Sequence, residues 1–162
     1  MATHSLRSTA PRSIANIHYV EAPELYNWIK QGHARCNQPF QVIDVRGSDY
    51  IGGHIKNGWN MPYRRTFHDQ ENIDSLKRRL FTITQGEKQQ KDGTRTLNVV
   101  FHCARSMQRG PSAAVKFLRS LSDDEFAHCN VWVLRGGFNH WQDVYGRDSS
   151  VTEDYRPELW EW

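Results

Sequence analysis

A chain of 162 residues, 38% hydrophobic and 24% charged, suffices for one domain with its own core and is too apolar for global disorder. Three cysteines, Cys36, Cys103 and Cys129, exclude a disulfide scaffold, and the odd count fits a reducing compartment. A net charge of +3 with no long Lys/Arg block excludes a binder of nucleic acid by bulk charge, and no apolar run approaches the ~18 residues of a membrane span. The expected location is the cytoplasm, with the nucleus left open. Residues 1–14 are basic and Ser/Thr-rich, with no acidic residue and no apolar central block. They read as a flexible N-terminal segment, the alternative being a mitochondrial presequence. The domain is expected over residues 15–162.

Along the chain the apolar period switches repeatedly. Residues 17–20 read as a short strand. Pro23 suits the first turn of a helix that aligns Leu25, Trp28 and Ile29 and stops at Gly32. Residues 40–45 form a β-branched strand, followed by a glycine-rich stretch through Gly52, Gly53 and Gly58. Ile73, Leu76 and Leu80 align on a helix over 74–81. Residues 85–96 are polar and read as a loop. Residues 97–101, Leu-Asn-Val-Val-Phe, lack alternation, as in a strand buried on both faces. A helix opening at Gly110-Pro111 then aligns Ala113, Ala114, Phe117, Leu118 and Leu121, and 131–134 is a second buried strand. This strand–helix–strand unit implies a parallel sheet. Gly136-Gly137 reads as a turn into an aromatic helix over 138–145. The tail from 152 is acidic and aromatic; Trp160 and Trp162 pack down or dock a partner.

Ligands of open α/β sheets bind beyond the carboxyl ends of the strands. That position holds His102-Cys103-Ala104-Arg105-Ser106-Met107-Gln108-Arg109-Gly110-Pro111. A loop wound around an anion turns its backbone N–H groups inward, and the following helix adds the positive end of its dipole. The same field favours a thiolate. The expected nucleophile is Cys103. Arg109 supplies a planar fork for two oxygens of a tetrahedral anion. Ala104, Arg105, Ser106, Met107 and Gln108 are expected to line the anion, with Ser106 a hydrogen-bond donor to the leaving thiolate, in a site suited to attack on phosphorus, arsenic or sulfur. Cys129 and Arg135 repeat the spacing, but strand-forming residues separate them, and six extended steps hold their ends ~20 Å apart. Cys129 and Cys36 read as packing thiols, or as a partner that captures oxidised Cys103. No His-Glu-x-x-His or Cys-x-x-Cys spacing suggests a metal.

Three motifs carry a resemblance. Val42-Ile43-Asp44-Val45-Arg46, with Asp49-Tyr50 and Gly52-Gly53-His54-Ile55 through Asn60-Met61-Pro62, resembles the opening signature of the rhodanese-like domain. Val131 through Phe138 with Trp141 resembles its closing signature. The longer cysteine-to-arginine loop resembles the phosphatase branch. That branch includes the cell-division-cycle dual-specificity phosphatases, small single-domain fungal and protozoan phosphatases, and yeast-type arsenate reductases.

The resemblance implies one α/β domain, with a parallel sheet of about five strands and helices on both faces. It also implies a phosphate-monoester hydrolase of the tyrosine or dual-specificity type that works through a phosphocysteine. The alternative is arsenate reduction by the same loop, with glutathione or glutaredoxin as external reductant. Sulfur transfer and a non-catalytic binding module rank lower. No resident cofactor is expected, and the partners would be a phosphorylated protein, a small aryl phosphate or arsenate. Asp44 and His102 are expected to support the loop, and Arg46 and His54 to make structural pairs. The sequence departs from the cell-cycle enzymes in placing Ala104 where they carry an acid. No Trp-Pro-Asp segment supplies a proton donor.

Overall fold

Strand β1 (His18–Val20) leads into helix α1 (Ala22–Gln31), which carries Pro23 in its first turn and ends at Gly32 with φ +88°. Strands β2 (Phe40–Asp44), β3 (His54–Ile55) and β4 (Trp59–Asn60) follow, then helices α2 (Tyr63–Phe67) and α3 (Gln70–Gln85). The order closes with β5 (Leu97–His102), α4 (Arg109–Ser120), α5 (Asp123–Ala127), β6 (Cys129–Leu134), α6 (Gly137–Tyr145) and β7 (Thr152–Glu153). The computed structural model describes residues 12–85 and 96–161. Most of the polar segment expected as a loop, residues 86–95, lies outside them, as does Trp162.

Five strands pair in the order β1-β6-β5-β2-β4, every neighbour parallel. All six residues of β5 are buried, because helices cover both faces of this central strand. Alternate residues divide between two cores. Val99 and Phe101 join Ile43, Val131 and Val133 beneath the apolar stripes of α3 and α4. Val100 joins Val42, Trp132 and Leu134 beneath α1 and α6. Fully burying one such aromatic or branched side chain contributes about 1.5–3 kcal/mol, so the two stripes fix which way each strand faces.

Several elements differ from expectation for local reasons. Helix α3 starts four residues earlier and runs past the recognised apolar stripe, into a polar stretch. Helix α5 was not anticipated, although Ser122 and Glu125 form a reciprocal capping box at its start. The antiparallel pair β3–β7 and the edge strand β4 have two residues each, too few to show any period. The packed chain begins earlier than residue 15: Arg12 donates to Leu121 O and to the Asp123 carboxylate, and lies 4.5 Å from the Phe126 ring centre. Trp160 packs down, its Nε1–H donating to Gly52 O at 2.9 Å.

Register brings the site together. Asp44, the last residue of β2, lies beside His102, the last of β5. Val45 N–H donates to His102 O at 2.8 Å, so the two strands leave the sheet at the same level.

Candidate active site

Strand β5 delivers Cys103 to the carboxyl edge of the sheet, and α4 begins at Arg109. Between them Ser106 sits at φ +58°, in the left-handed region. That turn aims its N–H back at Cys103 Sγ, 3.2 Å away. Gly110 N–H donates to the same sulfur at 3.3 Å. Two donors on one sulfur stabilise the charge of a thiolate, whether it attacks or leaves.

The outside of the loop is held by other elements. Phe138 and Asn139, in the first turn of α6, donate their N–H groups to Cys103 O (2.9 Å) and Ala104 O (2.8 Å). Helix-start amides have no partner within the helix, so the loop carbonyls satisfy them. Gly137 permits the approach: with φ +62°, a Cβ there would lie 2.5 Å from Ala104 O and 2.6 Å from Cys103 O. A residue read from sequence as part of a turn therefore shapes the loop. His102 Nδ1–H donates to Cys103 O at 3.1 Å, so both lone pairs of that carbonyl are occupied. Burial lowers the His102 pKa and keeps the ring neutral. Its Nε2 has no hydrogen-bond partner and stands 3.7 Å from the Asp44 carboxylate.

Asp44 is committed to Arg46, and both are buried. Arg46 Nη2 donates to Asp44 Oδ2 at 2.7 Å, and Nε donates to Oδ1 at 3.0 Å. The same guanidinium donates to Gly53 O (2.9 Å) and Asp49 O (3.4 Å), and lies 4.4 Å from the Phe138 ring centre. It thus fixes the segment from Asp49 to Gly53. Burial pushes the Asp44 carboxyl up, but the interaction with His102 and the hydrogen bonds and charge of Arg46 outweigh it and leave the pKa lowered.

The segment so fixed presents Asp49, which the sequence placed in the opening signature without a role in the site. Arg109 Nη1 and Nη2 donate to Asp49 Oδ1 (2.8 Å) and Oδ2 (2.6 Å), a fork-to-fork pair. Those hydrogen bonds hold the Asp49 carboxyl below its ordinary 3.8. Grip through the two terminal nitrogens leaves the Nε edge of Arg109 free for an oxyanion. Because the pKa is lowered, the pair adds stability above the ordinary carboxylate range and loses it as pH falls through the lowered value. Asp49→Asn keeps the shape and removes the charge. It is expected to raise KM for an aryl phosphate and lower kcat, with a combined loss of about tenfold in kcat/KM, read from steady-state kinetics. Unchanged kinetics would leave Asp49 a bystander.

The remaining expected residues lie as follows. Arg105, Met107 and Gln108 are exposed at the rim, Met107 at 76%. Ser106 Oγ is buried without a partner. Cys129 pairs with Leu97 at the opposite end of the sheet, and burial pushes its thiol up to about 12. Arg135 donates to Glu21, so the repeated spacing brings no second site together. Cys36 is exposed. His54 Nε2 stands 3.1 Å from the Asp154 carboxylate, and its ring stacks on Tyr50. Among the described residues, no three His, Cys, Asp or Glu side chains converge as a metal would require.

A Saccharomyces cerevisiae protein called CDC25-like phosphatase YCH1 is 52% identical over 149 residues, 91% of this chain and 97% of the relative. A solved structure described as Ygr203w, a yeast protein tyrosine phosphatase of the rhodanese family, matches with a TM-score of 0.81 at 52% identity, covering 92% of this chain and 100% of that one. An Oryza sativa protein called arsenate reductase 2.2 is 44% identical over 129 residues, 78% of this chain and 82% of the relative. The family model for the rhodanese-like domain spans residues 21–144, from the start of α1 into α6, and so takes in four of the five parallel strands (β2, β4, β5 and β6), the cysteine loop and the glycine that braces it. By sheet, loop and sequence alike, the chain belongs to the rhodanese-like family, in the company of phosphatases and arsenate reductases.

Proposed function

We propose that the protein hydrolyses phosphate monoesters with aryl leaving groups, phosphotyrosine above all, through a phosphocysteine on Cys103. The observation that carries this reading is one sulfur receiving two backbone N–H groups in a loop that exits into a helix start bearing Arg109. The thiolate electron pair forms an S–P bond as the P–O bond to the aryl group breaks. The aryl oxide takes a proton from water. Water then attacks phosphorus, the S–P pair returns to sulfur, and phosphate leaves. The loop N–H groups, the start of α4 and the free edge of Arg109 stabilise the equatorial oxygens while charge spreads over them.

The aryl preference has a specific support. Asp44 and Asp49 are both held ionised, and the His102 Nδ1–H is tied to Cys103 O. Among the described residues named above, none is poised to protonate an alkoxide. An aryl oxide, whose conjugate acid has a pKa of about 10, leaves without that help.

A second reading, arsenate reduction, is favoured by the rice relative and by the thiols. Arsenate has nearly the shape and charge of phosphate. Its reduction to arsenite takes two electrons, one from each of two thiols that end as a disulfide. Cys103 supplies one. Cys129 lies at the far end of the sheet, so the second must come from outside, as with glutathione or glutaredoxin.

The test is a side-by-side assay of the wild-type protein. The substrates are p-nitrophenyl phosphate, matched phosphotyrosine and phosphoserine peptides, arsenate with glutathione and glutaredoxin, and thiosulfate with cyanide. Expected is turnover of the aryl ester, with the phosphotyrosine peptide ahead by a hundredfold or more, roughly the worth of a general acid to an alkyl leaving group. Turnover of thiosulfate alone or arsenate alone would overturn the phosphatase reading.

A further inference from the structure

We infer that the substrate carries a second anionic group, held beside the scissile phosphate in a cavity whose charge is set by Arg64. The inference rests on the phosphatase reading and names the class of substrate. A cavity of about 340 Å³ opens against Arg109, with Ser48, Asp49, Tyr63 and Arg64 also on its walls. A sphere of that volume is about 9 Å across, so a group inside it is a close neighbour of a phosphate held by Arg109.

The charges on the cavity walls do not cancel. Asp49 and Arg109 neutralise each other through their two short hydrogen bonds. Arg64 has no hydrogen bond or ion pair among the described residues, which leaves the cavity one positive charge in excess. An unpaired guanidinium beside a phosphate site offers five donors and a planar face to a carboxylate or second phosphate.

Arg64 is also fixed relative to the reaction centre. It follows Tyr63, whose N–H donates to Val45 O at 3.1 Å. Asn60 Nδ2 donates to both Asp44 O (3.0 Å) and Arg46 O (2.9 Å), tying the preceding segment to the exit of β2. Phe67, one helical turn on, is buried against Phe101 and anchors α2 to the sheet. The backbone that carries Arg64 is therefore bound to the backbone that carries Asp44 and Asp49.

The extra anion could belong to an acidic peptide or to a small bisphosphate, and two matched pairs of probes separate these sources. One pair is a phosphotyrosine peptide with flanking Asp against the same peptide with flanking Asn. The other is benzene-1,3-diyl bisphosphate against phenyl phosphate, compared per phosphate group. The wild-type protein should favour the doubly anionic member of at least one pair by about fivefold in kcat/KM at low salt, as for a partly exposed charge pair. Whichever pair shows the preference assigns the source. Arg64→Gln should bring the ratio near one, and Arg64→Glu below one. Arg65→Gln, an exposed neighbour outside the cavity wall, should keep the wild-type ratio. A wild-type ratio near one in both pairs, with phenyl phosphate still turned over, overturns the subsite alone. A preference that survives Arg64→Gln overturns it as well. Absence of any phenyl phosphate turnover overturns the phosphatase reading and the subsite with it.

Discussion

Cys103→Ser is expected to lower kcat for p-nitrophenyl phosphate by about 10⁴–10⁶-fold, the loss seen when a nucleophile acting within a unit is removed. A serine hydroxyl stays protonated at neutral pH, and no base stands ready to take its proton: His102 is neutral, but its Nδ1–H is tied to the loop carbonyl and its Nε2 stands beside Asp44, with no hydrogen bond to the side chain of residue 103. The loop itself should survive. Its outside is held by the backbone N–H groups of Phe138 and Asn139 and by the His102 side chain, none of which involves the sulfur, and a serine oxygen can still accept from Ser106 and Gly110 N–H. Binding of inorganic phosphate, measured by calorimetry, should therefore change by less than tenfold while turnover disappears. Activity within tenfold of wild type would remove Cys103 from the reaction. Joint loss of binding and folding would show that the sulfur organises the loop.

The second large effect concerns stability. Arg46→Met removes the cation hydrogen-bonded to buried Asp44, together with donors to the carbonyls of Asp49, Ile51 and Gly53. Breaking one side of a buried ion pair costs about 3–5 kcal/mol, so the denaturant midpoint should fall steeply at neutral pH. The pH dependence gives a sharper check. In the wild type the Asp44 pKa is lowered, so the pair stabilises above the unfolded carboxylate value and that stabilisation is lost as pH falls through the folded value. In the variant the lowering by Arg46 is gone, so burial pushes the Asp44 carboxyl up from its wild-type value. Protonation then relieves the buried charge, and the gap from wild type should narrow as the solution is acidified. A destabilisation that stays constant between pH 7 and pH 4 would mean that lost packing, not the stranded carboxylate, causes it. Asp44→Asn on the Arg46→Met background should recover part of the loss.

The sequence made some elements plain and concealed others, for physical reasons. β5 and α4 were legible because an unbroken apolar run and a 3.6-residue stripe meet at one loop, so that Cys103 stood out by position as well as by type. Strands of two residues carry no period, which hid β3, β4 and β7. Helix α5 carried a readable capping box, overlooked because its apolar content is small. Asp49 could not be found from spacing: its partner lies sixty positions away, and only the register of β2 against β5 brings the two together. Gly137 looked like any turn glycine, since the carbonyls that crowd it belong to a loop far earlier in the chain.

That crowding has a consequence for the making of the protein. The backbone donors that hold the Cys103 and Ala104 carbonyls come from α6, synthesised well after Cys103 itself. A nascent chain that has reached Arg135 already contains β2, β5, α4 and β6, but nothing yet braces the loop from outside. The Cys103 loop thus acquires its finished surroundings only when residues 137–139 have emerged and docked, so the carboxyl edge of the sheet is completed last where the proposed chemistry lies.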